Sequence, residues 1–153
     1  MYSKEEHLEY FKLAANGDDE AYEYLLAMSQ IFRLWDDNYD QDKEIDKEFA
    51  DTVFQDMNFN LSRNSFYRKH QDVLTSFVFL SWNAWKDSDL WRGDDLKIKG
   101  LCAWFLRDFC NEIVPLVAYL TSGPKLAREF SSDYRFFLLQ RLSANGDDGF
   151  IKL

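Results

Sequence analysis

The chain has 153 residues, a formal net charge of −9 and an isoelectric point of about 4.7. This length suits one domain with a proper buried core, and the excess negative charge excludes direct binding to a nucleic-acid backbone. Aromatic residues make up 18% of the chain, too many for a disordered acidic tail. We therefore expect one folded domain over residues 1–153, whose partner is a basic protein or a cation.

Apolar periodicity predicts helices along the whole chain and no convincing strand. The first helix is predicted to begin at Ser3 and to end at Gly17, which suits the left-handed conformation that closes a helix. Asp18 or Asp19 then caps a second helix that ends at about Trp35. A third helix is predicted over about residues 43–57.

The fourth helix is predicted to begin near Arg63 or Asn64 and to extend to about Lys86, with two apolar stripes side by side. The stretch DSDLWRGDD, residues 87–95, is the predicted main loop.

The fifth helix is predicted to run from Asp94 or Asp95 to about Leu120, with a kink near Pro115. The sixth covers about residues 125–142, with Pro124 suited to its first turn. The expected fold is a single compact all-α bundle of about six helices, with helices four and five buried at its centre.

The most apolar run, residues 101–120, carries Arg107, Asp108 and Glu112 in its middle. Charges there are too costly for a membrane span, so we expect no membrane contact. Cys102 and Cys110 would lie about 12 Å apart along one helix. That distance is too long for a disulfide, so we expect reduced, buried thiols.

The stretch LWDDNYDQDKEIDKE, residues 34–48, carries seven acids and two lysines. Asp36, Asp37 and Asp40 lie near the predicted end of the second helix, where the helix dipole disfavours negative charge. From Asp42 onward, acids suit the start of the third helix. The three aspartates are therefore a metal-binding surface, a docking surface or a solvated joint.

Magnesium suits such a cluster, because it takes one or two carboxylates and is completed by a phosphate. Asp108 and Glu112, four residues apart, could supply carboxylates from another helix, or they are simply its solvated face. A calcium loop of the EF-hand type is excluded, since its sixth position would be Gln41 and its twelfth Lys47.

His70 lies on an apolar stripe with no second zinc ligand at a suitable spacing, so we interpret it as a hydrogen-bonded core histidine. The tryptophans at 82, 85 and 104 are likewise predicted to be core residues. No glycine-rich phosphate loop and no nucleophile elbow occurs in the sequence.

Trp91 and Arg92 lie together in the predicted loop and are candidate partner contacts. Asp42 and Glu44 of the acidic stretch are the other candidates, since they suit a basic partner.

Asp36-Asp37-Asn38-Tyr39-Asp40 resembles the DDxxD motif of isoprenoid synthases, all-helical enzymes that hold a diphosphate through magnesium. The match covers five residues, and the second acidic motif of those enzymes has no recognisable counterpart here.

A longer block resembles a group of small, uncharacterised helical proteins of tailed bacteriophages. Their pattern Trp-Asp-Asp-x-x-Asp-x-Asp-Lys is matched by residues 35–43, and their Asn-Pro-Phe-Tyr-Arg by residues 64–68, with Ser65 in place of proline. The resemblance covers about residues 31–86. It implies an all-α fold and a phage or prophage origin, and it implies no activity.

We therefore predict a phage-type accessory protein that acts by protein contact through its acidic surface, in virion assembly or against a host factor. No secretion signal precedes the first helix, so the expected location is the bacterial cytoplasm or the virion. The alternative is a magnesium-dependent enzyme acting on a phosphate or diphosphate ester. In that enzyme Asp36, Asp37 and Asp40 hold the metal, while Asp108 and Glu112 complete the site.

Overall fold

The structure, a computed structural model, describes residues 4–40, 44–92 and 96–144. These residues form six uninterrupted helical runs, and no strand occurs among them. This confirms the all-α class and the expected number of helices. The six runs cover residues 4–15, 19–40, 47–63, 65–91, 97–122 and 124–144.

Two of the six runs change helix type along their length, so the elements are numbered separately. In chain order they are α1 (Lys4–Ala15), α2 (Asp19–Asp40), α3 (Lys47–Gln55), a π-helical turn (Asp56–Asn60), α4 (Leu61–Arg63), α5 (Ser65–Trp91), α6 (Lys97–Asp108), a 3-10 turn (Phe109–Glu112), α7 (Ile113–Ser122) and α8 (Pro124–Ala144).

Several predicted helix ends are confirmed by their caps. Gly17 has a φ of 83° at the end of α1, and the Asp18 carboxylate accepts a hydrogen bond from the Ala21 N–H at 3.0 Å at the start of α2. Gly123, with a φ of 81°, separates α7 from α8, and Pro124 occupies the first position of α8 as predicted. Ser3 lies outside the described residues.

The predicted end of the second helix at Trp35 is wrong, because α2 continues to Asp40. The ring of Tyr39 packs against Trp35 and Trp85, with centroids 4.8 and 4.6 Å apart. Packing of the Tyr39 ring against these two tryptophans favours continuation of the helix despite the unfavourable dipole at its end. The third helix begins at Lys47, where Asp46 caps it.

The prediction that the main loop begins at residue 87 is also wrong, because residues 87–91 still belong to a helix. Helix α5 extends to Trp91 because Trp85 and Ser88 are both buried on its inner face. Residues 87–91 are therefore helical, and residues 93–95 lie outside the described part of the chain.

The predicted fifth helix is broken before Pro115 rather than at it. Residues 109–112 form a 3-10 turn, and Pro115 lies in the first turn of α7. A proline ring clashes with the carbonyl four residues earlier in a continuous α-helix and has no N–H to donate. Starting a new helix at Ile113 avoids both costs.

Helix α7 lies between α1 and α8 and forms the centre of the apolar core, while α5 packs along α6 and against α2. The sequence IVPLVAYL is apolar on nearly every side, as a central helix requires. No helix in the described ranges is long and apolar enough to cross a membrane. The buried residues of α7 are Ile113, Val114, Pro115, Val117 and Ala118.

The start of α5 is attached to the start of α2 through the Asn64 to Tyr67 block. The Asn64 amide caps α5 by accepting from the Tyr67 N–H at 2.7 Å, and it donates to the Glu20 carbonyl at 2.8 Å. The Glu20 carboxylate accepts from the Ser65 N–H and hydroxyl and from the Phe66 N–H. We call Glu20, Asn64 and Ser65 the α2–α5 clamp.

Candidate functional site

The first predicted metal ligand, Asp36, lies against an arginine. Its Oδ1 accepts a hydrogen bond of 2.6 Å from Arg107 Nη2 on α6 and one of 3.4 Å from Trp85 Nε1 on α5. The Arg107 guanidinium also lies over the Trp85 ring, 4.9 Å from its centroid. Asp36 therefore joins α2 to both α5 and α6.

Two more of the predicted ligands are paired with arginines elsewhere. Asp37 lies 3.5 Å from Arg33 Nε, one turn earlier on α2. Glu112 accepts both guanidinium hydrogen bonds of Arg135 on α8, one of them at 2.7 Å, and this carboxylate raises the pKa of Arg135. Each of these carboxylates already faces a cation.

The remaining ligand candidates are Asp40 and Asp108. Asp40 is the last residue of α2, four after Asp36 and so on the same face, but its side chain is outside the described part. Asp108 ends α6 and is partly buried. In the described ranges no three His, Cys, Asp or Glu side chains form a group that could hold a metal ion. The magnesium site stays a prediction.

The predicted partner contacts fall at two different places. Trp91 is the last residue of α5 and is half-buried, and Arg92 follows it with an exposed side chain. Glu44 is exposed ahead of α3, and Asp42 lies outside the described residues. These residues stay predicted contacts.

A large apolar groove is the most prominent feature that the sequence did not predict. It encloses about 1080 Å³ between α2, α3, α5 and α6 and reaches α7. Its walls are mainly aromatic and aliphatic, and Asp36, Arg107 and Asp108 are among its few charged residues. We call it the aromatic groove.

Two of the expected core tryptophans lie at the mouth of this groove instead. Trp85 is buried, but Trp82 and Trp104 are 41% and 36% exposed. Phe79, which contacts Trp82, and Met57 beyond the end of α3 are 57% and 55% exposed and line the same mouth. We call Met57, Phe79, Trp82 and Trp104 the groove rim.

The histidine prediction is also corrected. His70 is partly exposed and packs against the Phe66 ring at 4.9 Å, with no hydrogen-bond partner among the described residues. Burial and the neighbouring Lys69 lower its pKa. His7 is the hydrogen-bonded histidine, since its Nε2 lies 2.9 Å from the buried Tyr134 hydroxyl.

Both cysteines are free, as predicted, but they are partly rather than fully buried. Cys110 lies in the 3-10 turn at the groove wall, so the two do not share one regular helix. Burial raises the pKa of the Cys110 thiol to about 12, with a further contribution from Asp108 and Asp36. A thiol of this kind stays protonated and is a poor nucleophile at neutral pH.

Arg107 and Ser81 are groove residues to which sequence reasoning gave no role. A lone arginine in an apolar run is a recognisable signal for a buried ion pair, but the sequence does not show which residue of another helix is its partner.

The chain matches no family model, no curated protein and no solved structure. The resemblances to phage proteins and to isoprenoid synthases therefore stay predictions.

Proposed function

We propose that the protein acts by protein contact and that its aromatic groove binds a basic amphipathic helix of a partner. The supporting observation is the open groove rim, where Phe79, Trp82 and Met57 expose apolar surface in one place. Soluble proteins expose large contiguous apolar patches mainly where they bind something. Aromatic and methionine side chains are typical of such binding surfaces.

The charge around the groove determines what kind of helix fits. Ala50 and Val53 of α3 line the groove, as does Ile45 just before this helix. The same stretch, residues 44–56, carries five carboxylates and one lysine. A helix with an apolar face and basic flanks satisfies both features, because its apolar face enters the groove and its cations meet the acids.

Two synthetic peptides test this proposal. Both are 20-residue amphipathic helices with the same Leu and Trp face, one with lysines on the other positions and one with glutamates. We expect the lysine peptide to bind at least tenfold more tightly by fluorescence anisotropy and to weaken as salt rises. Equal binding of both peptides would reject the proposal.

Matched variants locate the binding surface. Phe79→Ser removes an exposed rim side chain and is expected to lower the affinity for the lysine peptide at least fivefold. Phe136→Ser on α8, at a position 62% exposed and outside the groove lining, serves as the control and should change nothing. Equal effects of the two variants would place the binding elsewhere.

The phage-type setting is part of the same proposal. Pull-downs from host lysate and from phage-infected lysate would distinguish a host target from a virion protein. The captured protein is expected to contain a basic amphipathic segment and to be lost with Phe79→Ser but retained with Phe136→Ser.

A further inference from the structure

The inner end of the aromatic groove contains two buried hydrogen-bond donors that the protein leaves unsatisfied. Ser81 is 2% exposed. Within the described part of the chain, neither its Oγ nor the buried Trp35 Nε1 makes a hydrogen bond. Both residues line the groove. Buried polar groups in folded proteins are nearly always paired, so each of these is an exception that needs an explanation.

The Ser81 hydroxyl differs from other helical serines of this protein. The Oγ of Ser88, Ser131 and Ser29 each donates to a backbone carbonyl of its own helix, at 2.7 to 2.8 Å. That bond is the usual arrangement for a serine inside a helix. Ser81 does not make it, and its hydroxyl is therefore available to a molecule in the groove.

The two donors lie beside the same side chain. Ser81 is one turn before Trp85 on α5, so the two share a helix face. Trp35 meets the Trp85 ring edge-on, with centroids 6.1 Å apart. One small molecule beside Trp85 could therefore reach both donors.

The surrounding groups determine the class of ligand. The inner walls are apolar, with Phe11, Leu25, Val78 and Val114 among them. An anionic ligand is disfavoured because Asp36 and Asp108 line the groove, while Arg33 and Arg107 of the same lining are paired with Asp37 and Asp36. An indole N–H can only donate, so the ligand must offer an acceptor.

We propose that the inner end of the groove binds a neutral, mainly apolar small molecule through an acceptor oxygen held by the Ser81 hydroxyl and the Trp35 indole N–H. The groove volume of about 1080 Å³ is ample for such a ligand. This ligand site depends on Ser81 and Trp35, whereas the helix binding proposed above depends on the groove rim, so different variants test the two proposals and either can fail without the other.

Two probes of nearly the same shape test the site. 2-Acetylnaphthalene carries one carbonyl oxygen, and 2-ethylnaphthalene carries none. We expect the wild-type protein to bind the acetyl compound about tenfold more tightly, as measured by tryptophan fluorescence titration. Equal affinities would show that the two donors do not hold the ligand, and no binding of either compound would show a groove filled by solvent alone. Either result would overturn the proposal.

Matched variants assign the preference to the two donors. Ser81→Ala and Trp35→Phe should each reduce the acetyl-to-ethyl affinity ratio about threefold or more while leaving binding of the ethyl compound nearly unchanged. Ser88→Ala removes a buried hydroxyl from the same helix that is already paired and should preserve the ratio. Because Ser81→Ala removes an unsatisfied group, it should fold at least as stably as the wild type. An unchanged ratio in both donor variants would contradict the assignment.

Discussion

Asp36 on α2 and Arg107 on α6 are joined by a 2.6 Å ion pair, and the same guanidinium covers the Trp85 ring. The Arg107 side chain is 15% exposed and that of Asp36 46%. One carboxylate therefore connects two walls of the aromatic groove, at the place where the sequence suggested a metal ligand.

A double-mutant cycle with Asp36→Asn and Arg107→Gln should show coupling between these two residues. We expect a coupling free energy of about 0.5–1.5 kcal/mol from urea unfolding, since the half-exposed aspartate is partly screened by water. The more exposed pair Arg33 and Asp37 serves as a control and should give less than about 0.5 kcal/mol. Coupling near zero at the first pair would mean that it does not hold the walls together.

Millimolar magnesium should leave the melting temperature of the wild-type protein unchanged. Asp36 and Asp37 each already face an arginine, whose positive charge opposes the approach of a further cation. Thermal melting with and without magnesium, in the wild type and in the Asp36→Asn, Asp40→Asn double variant, checks this. A rise of several degrees in the wild type alone would support the magnesium-dependent enzyme instead.

Glu20 should make the stability of the α2–α5 clamp depend on pH. Hydrogen bonds from Ser65 lower the pKa of Glu20 below its ordinary value of 4.5. The contribution of the Glu20 carboxylate to the free energy of unfolding is therefore present above pH 4.5, and it is lost as the pH falls through the folded-state pKa. Glu20→Gln should melt at a lower temperature than the wild type at pH 7, and this difference should vanish in acid. Glu23→Gln on the same helix is the control, and a difference for Glu20→Gln that persists in acid would contradict the assignment.

The Asn64 side chain has two functions that substitutions can separate. Asn64→Ala removes both the cap on α5 and the bond to the Glu20 carbonyl, and it should cost about 1–3 kcal/mol of unfolding free energy. Asn64→Asp keeps the acceptor for the Tyr67 N–H but loses the donor, so its cost should be smaller. Urea unfolding measures both, with exposed Asn58→Ala as the control. If Asn64→Ala and Asn64→Asp lower the unfolding free energy equally, the whole loss comes from the hydrogen bond to the Glu20 carbonyl.

Cys110 should react slowly with thiol reagents in the folded protein. Burial raises its pKa to about 12, so little thiolate is present at pH 8. In a Cys102→Ser variant, the reaction of Cys110 with a disulfide reagent should be more than tenfold slower in the native protein than in urea. If Cys110 reacts in the native protein nearly as fast as in urea, its thiol is accessible and its pKa is not raised. The Cys110→Ser variant gives the corresponding rates for Cys102.

Local signals in the sequence predict much of the fold. The left-handed Gly17, the start of the fourth helix near Arg63 or Asn64 and the position of Pro124 depend on interactions within one or two turns, so the local sequence predicts them. The break lies at residues 109–112, a few residues before the predicted kink, because a proline disturbs the turn before it and then fits the first turn of the next helix.

The groove could not be predicted in the same way. The periodicity of α5 shows which residues share a face, but not whether another helix covers that face. Trp85 and Trp82 are equally apolar in the sequence, and only the packing of α6 and α2 makes the first buried and the second exposed. The ion pair of Asp36 could not be predicted either, since its partner Arg107 lies 71 residues away in the sequence.

The π-helical turn at Asp56–Asn60 contains one more residue than an α-helical turn would. The Leu61 N–H accordingly bonds to the Asp56 carbonyl, five residues back. Each residue of an α-helix rotates the following side chains by about 100°. Deleting one residue here would therefore turn Asn64 away from Glu20 while Val53 still lined the groove. Homologous chains that keep both the clamp and the groove should consequently keep the length between Val53 and Asn64 constant.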